Sequence, residues 1–214
     1  APALEAAARE VLGSQPSLPA PGRGHTLERW RALAAIAGRD LCLAKVLEAH
    51  YDAQVILSDL HASPLGRQSL AAVWAAEGPQ ATLLFDPATG TVSGDKPWCS
   101  GAGLVDIALV TAQGPQGSQL LRIHADAPGI RLRPQTWHAT GMSGIPSGSV
   151  QFTQVPAEPI RLQAGPVELW FDPDWAILRK FAVDGHEALR AMGQNFLLDE
   201  QLLDRIAAVP GDLD

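Results

Sequence analysis

The hydrophobic period of this 214-residue chain changes once, near Leu70, and that change limits the folds open to it. Before it, Trp30, Leu33, Ala34, Ala37, Leu41 and Ala44 recur every three or four residues, as the apolar face of a helix does. After it the runs with strand character are short: residues 71–75, 81–85, 91–93, 104–112, 119–124, 130–132 and 150–155. Turn-forming stretches such as Asp86-Pro87-Ala88-Thr89-Gly90 and Gln113-Gly114-Pro115-Gln116-Gly117 separate them. This spacing predicts a small β-barrel or sandwich of about seven strands. The expected class is α+β: N-terminal helices, a central small β-barrel and a short helical tail.

The helical lead divides further. Residues 3–12 are Ala-rich, carry Glu5, Arg9 and Glu10, and read as a short helix ending at Gly13, followed by a Pro/Gly loop from Ser14 to Gly24. Thr26 is placed to cap a second helix, which Gly38 divides in two. In the tail, Asp172-Pro173-Asp174 begins a helix that would bury Trp175, Leu178 and Phe181, and residues 199–209 form a last amphipathic helix. The expected domains are a helical region over 1–68, a β-barrel over 69–171 and a helical tail over 172–214.

Composition excludes several functions. The net charge of -7 provides no broad basic surface, and without one the phosphate attraction that dominates nucleic-acid binding is missing. The cysteines, Cys42 and Cys99, lie far apart with no CxxC pair, a pattern that fits a reducing compartment and points to neither zinc nor a disulfide scaffold. No segment approaches the roughly 18 consecutive apolar residues of a membrane span, and Ala1-Pro2-Ala3-Leu4-Glu5 does not start a signal peptide. A cytoplasmic protein is expected. The six histidines fall into no metal spacing, so no metal site is expected. His124-Ala125-Asp126 lacks the Gly-x-Ser-x-Gly elbow of a hydrolase.

The junction of Gly94-Asp95-Lys96-Pro97-Trp98-Cys99-Ser100 with the apolar run Leu104 to Ala112 carries the most chemical information. If Trp98-Cys99-Ser100 continues a strand, alternation puts Trp98 and Ser100 on one face and turns Cys99 away. A flat ring and a hydroxyl then share a wall. The stretch resembles the flavin-facing strand of acyl-CoA dehydrogenases, in which Gly-x-Lys-x-Trp/Phe precedes an aliphatic and a hydroxyl residue; Trp98, Cys99 and Ser100 stand at those places. Arg39, Asp40, Ala44, Glu48, His50 and Ala53 match a helical segment of the same family. The stretch from Gly141-Met142 through Val150-Gln151-Phe152 to Val155 is similar to the loop and strand that close its β-domain. Trp74-Ala75-Ala76-Glu77-Gly78-Pro79 echoes the family's Thr-Glu-Pro loop but lacks its threonine and its Gly-Ser-Asp portion.

The resemblance spans roughly residues 26–171 and implies an FAD-dependent flavoprotein that oxidises an acyl thioester, with FAD as hydride acceptor. It marks Trp98, Ser100, Cys99, Trp74 and Glu77 as cofactor-binding candidates and an acyl-CoA-type small molecule as substrate. Residues 172–214 are too few to supply the four helices of that family's C-terminal domain, which holds its catalytic glutamate. No catalytic residue is therefore assigned, Glu187 and Glu200 reading as solvated helix charges. The alternative is a catalytically incomplete relative that serves as a non-catalytic partner or an acyl- or lipid-binding protein. In either case a homo-oligomer or a complex with another chain is expected, because the β-domain face that meets the bundle would otherwise be bare.

Overall fold

A computed structural model describes residues 2–78, 82–115, 117–138 and 140–160. The predicted tail helices, with Trp175, Glu187 and Glu200, lie outside the described residues. The chain separates into two compact units, and the first, residues 1–18 with 30–166, holds the sheet. Residues 19–29 belong to the other unit; within them His25 Nδ1 lies 3.4 Å from Glu28 Oε2, and the Arg29 guanidinium donates to the Pro19 carbonyl at 3.0 Å.

Three helices lead: α1 (Pro2–Ser14), α2 (Thr26–Ala37) and α3 (Leu41–Asp59). The break that Gly38 predicts is present. Asp40 restarts the helix as an N-cap, its carboxylate accepting from the N–H groups of Cys42 at 2.6 Å and Leu43 at 3.2 Å. Eight strands follow among the described residues: β1 (Ala71–Trp74), β2 (Leu83–Asp86), β3 (Thr91–Lys96), β4 (Ile107–Gly114), β5 (Gly117–His124), β6 (Ile130–Arg133), β7 (Ser149–Pro156) and the two-residue β8 (Glu158–Pro159). They form one curled half-barrel sheet in the order β6-β7-β3-β2-β4-β5-β8, with β1 also on β4. The fold is α+β, as the change of period predicts.

The predicted turns fall where the hairpins need them. Asp86 Oδ1 accepts from the Ala88 N–H at 2.9 Å and Gly90 takes φ +68° between β2 and β3. Gly114 pairs with Gly117 to close the β4–β5 hairpin. Strand β3 runs further than its apolar residues indicate, through Ser93-Gly94-Asp95-Lys96. Gly94 permits this: at φ +125° a Cβ there would collide with the Thr82 carbonyl, so only glycine lets β2 approach. The register against β7 shifts between Val92 and Gly94, and Ser93 Oγ accepts from the Gln154 N–H at 3.0 Å across this bulge.

Strand β4 is buried on both faces, which is why its sequence is a continuous apolar run instead of an alternating one. Ala108, Val110 and Ala112 face the main core, made with Phe85, Val92, Val150, Phe152 and Val155. Ile107 and Leu109 face the opposite way, into a second cluster with Ala53 and Leu57 of α3 and Ala71 of β1. Helix α3 is therefore a wall of the sheet. His50 fixes it there: its Nδ1 accepts from the Ala71 N–H at 3.2 Å, and burial pushes the imidazole down to about 4. The proton is thus held on Nε2 and the ring is neutral.

Helix α1 is tied to the sheet by charge. Arg9 presents a fork to Asp106, Nη1 to Oδ2 at 3.0 Å and Nη2 to Oδ1 at 3.1 Å, and also donates to Glu5 Oε1 at 2.9 Å and to the Gln68 carbonyl at 2.6 Å. Asp106 Oδ2 in turn accepts from the Leu70 N–H at 2.7 Å. Burial opposes the charge on Asp106, but the Arg9 fork and the Leu70 N–H outweigh it and hold the carboxyl below its usual range. Among the described residues no helix is long and apolar enough to cross a membrane.

Candidate functional site

Two backbone segments are cross-tied at one end of the sheet. One, Trp74 to Gly78, leaves β1; the other, Pro97 to Gly101, leaves β3. The buried Trp74 indole donates through Nε1 to the Ser100 carbonyl at 3.0 Å. Lys96 Nζ donates to Glu77 Oε1, to the Thr111 carbonyl and to Thr111 Oγ1, each at 2.8 Å. The three ammonium hydrogens are thereby used. Lys96 is 1% exposed while the Glu77 side chain is 51% exposed, so the pair runs from the interior to the surface. The Thr111 hydroxyl, 3.2 Å from the Ala75 carbonyl and 3.0 Å from Glu77 Oε1, has one hydrogen to give to either.

The structure corrects the expected strand geometry of Trp98-Cys99-Ser100. Strand β3 ends at Lys96, and residues 97–101 are a loop. Pro97 has no N–H for the ladder and Trp98 turns into the left-handed region at φ +54°, so the two-residue alternation does not apply. Trp98 is 52% exposed. Cys99 does face inward: it is fully buried, its Sγ lies 3.4 Å from the Lys96 carbonyl, and burial pushes its thiol up to about 12. A thiol held protonated in this way is a packing group. Ser100 is half-buried and borders a cavity of about 10 Å³ against α3, lined by Lys45, Ala49, Val105 and Ile145. Such a space holds about one water and no ring.

The loop from Gly141 to Gly148 braces the one that carries Trp98. The Cys99 N–H donates to the Gly148 carbonyl and the Gly101 N–H to the Pro146 carbonyl, both at 2.8 Å. Met142, at φ +53°, is a second large apolar side chain that is exposed on a left-handed backbone. The sequence places Trp74, Glu77, Trp98, Cys99 and Ser100 together, and the hydrogen bonds bring Trp74 to Ser100. Lys96, Thr111 and Met142 were not among the expected site residues. The signal for Lys96 was its place in Gly-x-Lys-x-Trp; nothing local marks Thr111, fifteen residues from Lys96. Among the described residues no group of three or more His, Cys, Asp or Glu side chains could hold a metal ion.

No protein-family model matches the sequence. The nitrososynthase from Micromonospora carbonacea var. africana is similar in structure, with a TM-score of 0.51 and 23% identity over 64% of this chain and 41% of that one. At that identity the likeness establishes the fold. TdsC from Paenibacillus sp. A11-2, crystallised with FMN and indole, has a TM-score of 0.48 and 26% identity over 63% of this chain and 38% of its own. A short stretch of 32 residues is 75% identical to the ribosomal RNA small subunit methyltransferase A of Sphingopyxis alaskensis, covering 15% of this chain and 12% of that protein. The chain thus spans less than half the length of each of these proteins. The helices and half-barrel described above share the fold of the part of the nitrososynthase that the comparison covers.

Proposed function

We propose that this chain forms the flavin-facing part of an acyl-CoA dehydrogenase-like oxidoreductase that acts on an acyl thioester, with FAD as hydride acceptor. The observation that carries the reading is Trp98. A bulky aromatic residue held half out of the protein on a left-handed backbone costs free energy twice, once in strain and once in exposed apolar surface, and two loop-to-loop hydrogen bonds enforce it. A planar ligand laid on the indole recovers part of that cost by stacking.

The residues present fit a flavin against the exposed face of Trp98, while the cavity that Ser100 borders on the α3 side is too small for the ring. Trp98 would stack on the ring system, and Trp74 would hold the 97–101 loop at the spacing the ring needs. Cys99 would serve by filling the interior behind the loop, and Glu77 by anchoring the 75–78 segment. Bound flavin supplies a two-electron acceptor that can take a hydride from the β-carbon of an acyl thioester. The proton lost from the α-carbon needs a base. The described residues assign none, since Glu77, the carboxylate of this cluster, is engaged by Lys96 and Thr111.

That engagement favours a second reading, in which the chain is a non-catalytic partner or an acyl-binding subunit that another copy or another chain completes. Release and quantification of flavin from purified protein separates the two. About one flavin per chain, with affinity at least tenfold weaker in Trp98→Ala, supports the first. No flavin after incubation with excess FAD and excess FMN overturns it and leaves the second.

A further inference from the structure

Among the described residues, a buried ammonium serves a β4 carbonyl that the pairings of β1 and β2 do not reach. Strands β1 and β2 lie on the same side of β4, β1 pairing residues 71–74 with 107–110 and β2 pairing Leu84 with Gln113. Neither strand pairs with Thr111 or Ala112. Neither pairing serves the Thr111 carbonyl, and Lys96 Nζ donates to it at 2.8 Å. An ordinary backbone N–H would do this without the cost of burying a charge. A lysine reaches further, and with its two remaining hydrogens it takes Thr111 Oγ1 and Glu77 Oε1. Its own backbone starts the loop that carries Trp98, and its carbonyl is the nearest acceptor for the Cys99 thiol.

We infer that Lys96 is a positioning residue: it sets the separation of the 74–78 and 97–101 segments by tying Glu77 to the root of the Trp98 loop. The inference rests on the flavin reading for its functional consequence and on the hydrogen bonds alone for its structural one. Trp74 Nε1 to the Ser100 carbonyl is one tie between the two segments, and Lys96 Nζ to Glu77 is the other. The first joins the buried Trp74 indole to the half-buried Ser100. The second ends on a half-exposed carboxylate, so it is the tie that solvent can loosen while the core stays intact. Lys96 is therefore expected to control the geometry around Trp98 more than the stability of the sheet.

The test uses the full chain with Lys96→Met, which keeps the stem and removes the charge, and with Glu77→Gln, which keeps an acceptor and removes the counter-charge. Amide exchange is followed in the peptides covering 74–78 and 97–101, with residues 118–124 of strand β5 as internal reference. FAD and FMN affinities are measured on the same samples, together with the visible spectrum of any bound flavin. Exchange at least tenfold faster in 74–78 and 97–101, with unchanged protection in 118–124, is expected for Lys96→Met and to a lesser degree for Glu77→Gln. Flavin affinity should fall at least tenfold with a shifted or less structured flavin band. Wild-type exchange in both segments, or loss of protection equal in all three regions, overturns the positioning role. Should Lys96→Met fail to fold, Glu77→Gln alone decides by the same criteria. If the parent chain binds neither flavin, the functional reading fails while the exchange results still decide the tie.

Discussion

Acidification from pH 7.5 to 4.5 should cost this fold about 2.5 kcal/mol through a single side chain, His50. The imidazole is 3% exposed, accepts from the Ala71 N–H through Nδ1, and is pushed by burial from 6.5 to about 4. An unfolded chain takes up the proton near 6.5 while the folded chain resists it to about 4. Between those values the unfolded state binds more protons, so stability is complete above 6.5 and falls as pH drops through the window. At about 1.4 kcal/mol per unit of separation, the loss is bounded near 3.4 kcal/mol below both values and reaches about 2.5 kcal/mol at pH 4.5. Asp106 does not overlap: its carboxyl lies below 3.8 in the folded chain, so its contribution is present above that value and lost only under more acid conditions. Urea titrations followed by tryptophan fluorescence at the two pH values measure the difference, for the parent chain and for His50→Asn. The asparagine side-chain oxygen can accept from Ala71 in place of Nδ1 but cannot titrate. The pH dependence should therefore shrink to a small fraction in the variant. A parent chain that loses less than about 0.5 kcal/mol, or a variant that loses as much as the parent, would refute the assignment to His50.

Three further outcomes follow from the contacts described. Glu77→Ala leaves Lys96 buried without a counter-charge and should cost about 3 kcal/mol or more. Lys96→Met leaves a half-exposed carboxylate and an unpaired Thr111 carbonyl but no buried charge and should cost less, so equal urea midpoints for the two variants would contradict the burial asymmetry. Asp106→Asn breaks the Arg9 fork that ties α1 to the sheet and should cost about 1–3 kcal/mol; amide exchange should show it first in residues 2–14, and unchanged exchange there would sink the idea. Gly94→Ala should cost more than about 1 kcal/mol, because its Cβ meets the Thr82 carbonyl; a thermal unfolding midpoint equal to that of the parent would mean β2 does not approach so closely.

The order of elements was legible because it depends on short-range signals. The helical repeat before Leu70, the Asp40 cap after Gly38 and the Asp86 to Gly90 turn each act within a few residues. The extent of β3 was not legible. The expected strand run ends at Ser93, and it continues through Gly94-Asp95-Lys96 because Gly94 admits the Thr82 backbone and Lys96 finds acceptors on β4. The same limit applied at the site. The motif located Trp98, Cys99 and Ser100, but the alternation rule assumed a strand that Pro97 and the positive φ of Trp98 do not allow. Lys96 with Thr111, and His50 with Ala71, are pairs separated by 15 and 21 residues. Which polar group is buried, and against what, depends on the completed fold.

Strands β1 and β2 pair with successive stretches along one side of β4, Ala71 to Trp74 with Ile107 to Val110 and Leu84 with Gln113. The β1 pairing is backed by the cluster of Ala53, Leu57, Ile107 and Leu109, to which β2 contributes nothing. The two pairings on this edge can therefore open separately, so that a loosened β2 leaves β1, β4 and α3 in place.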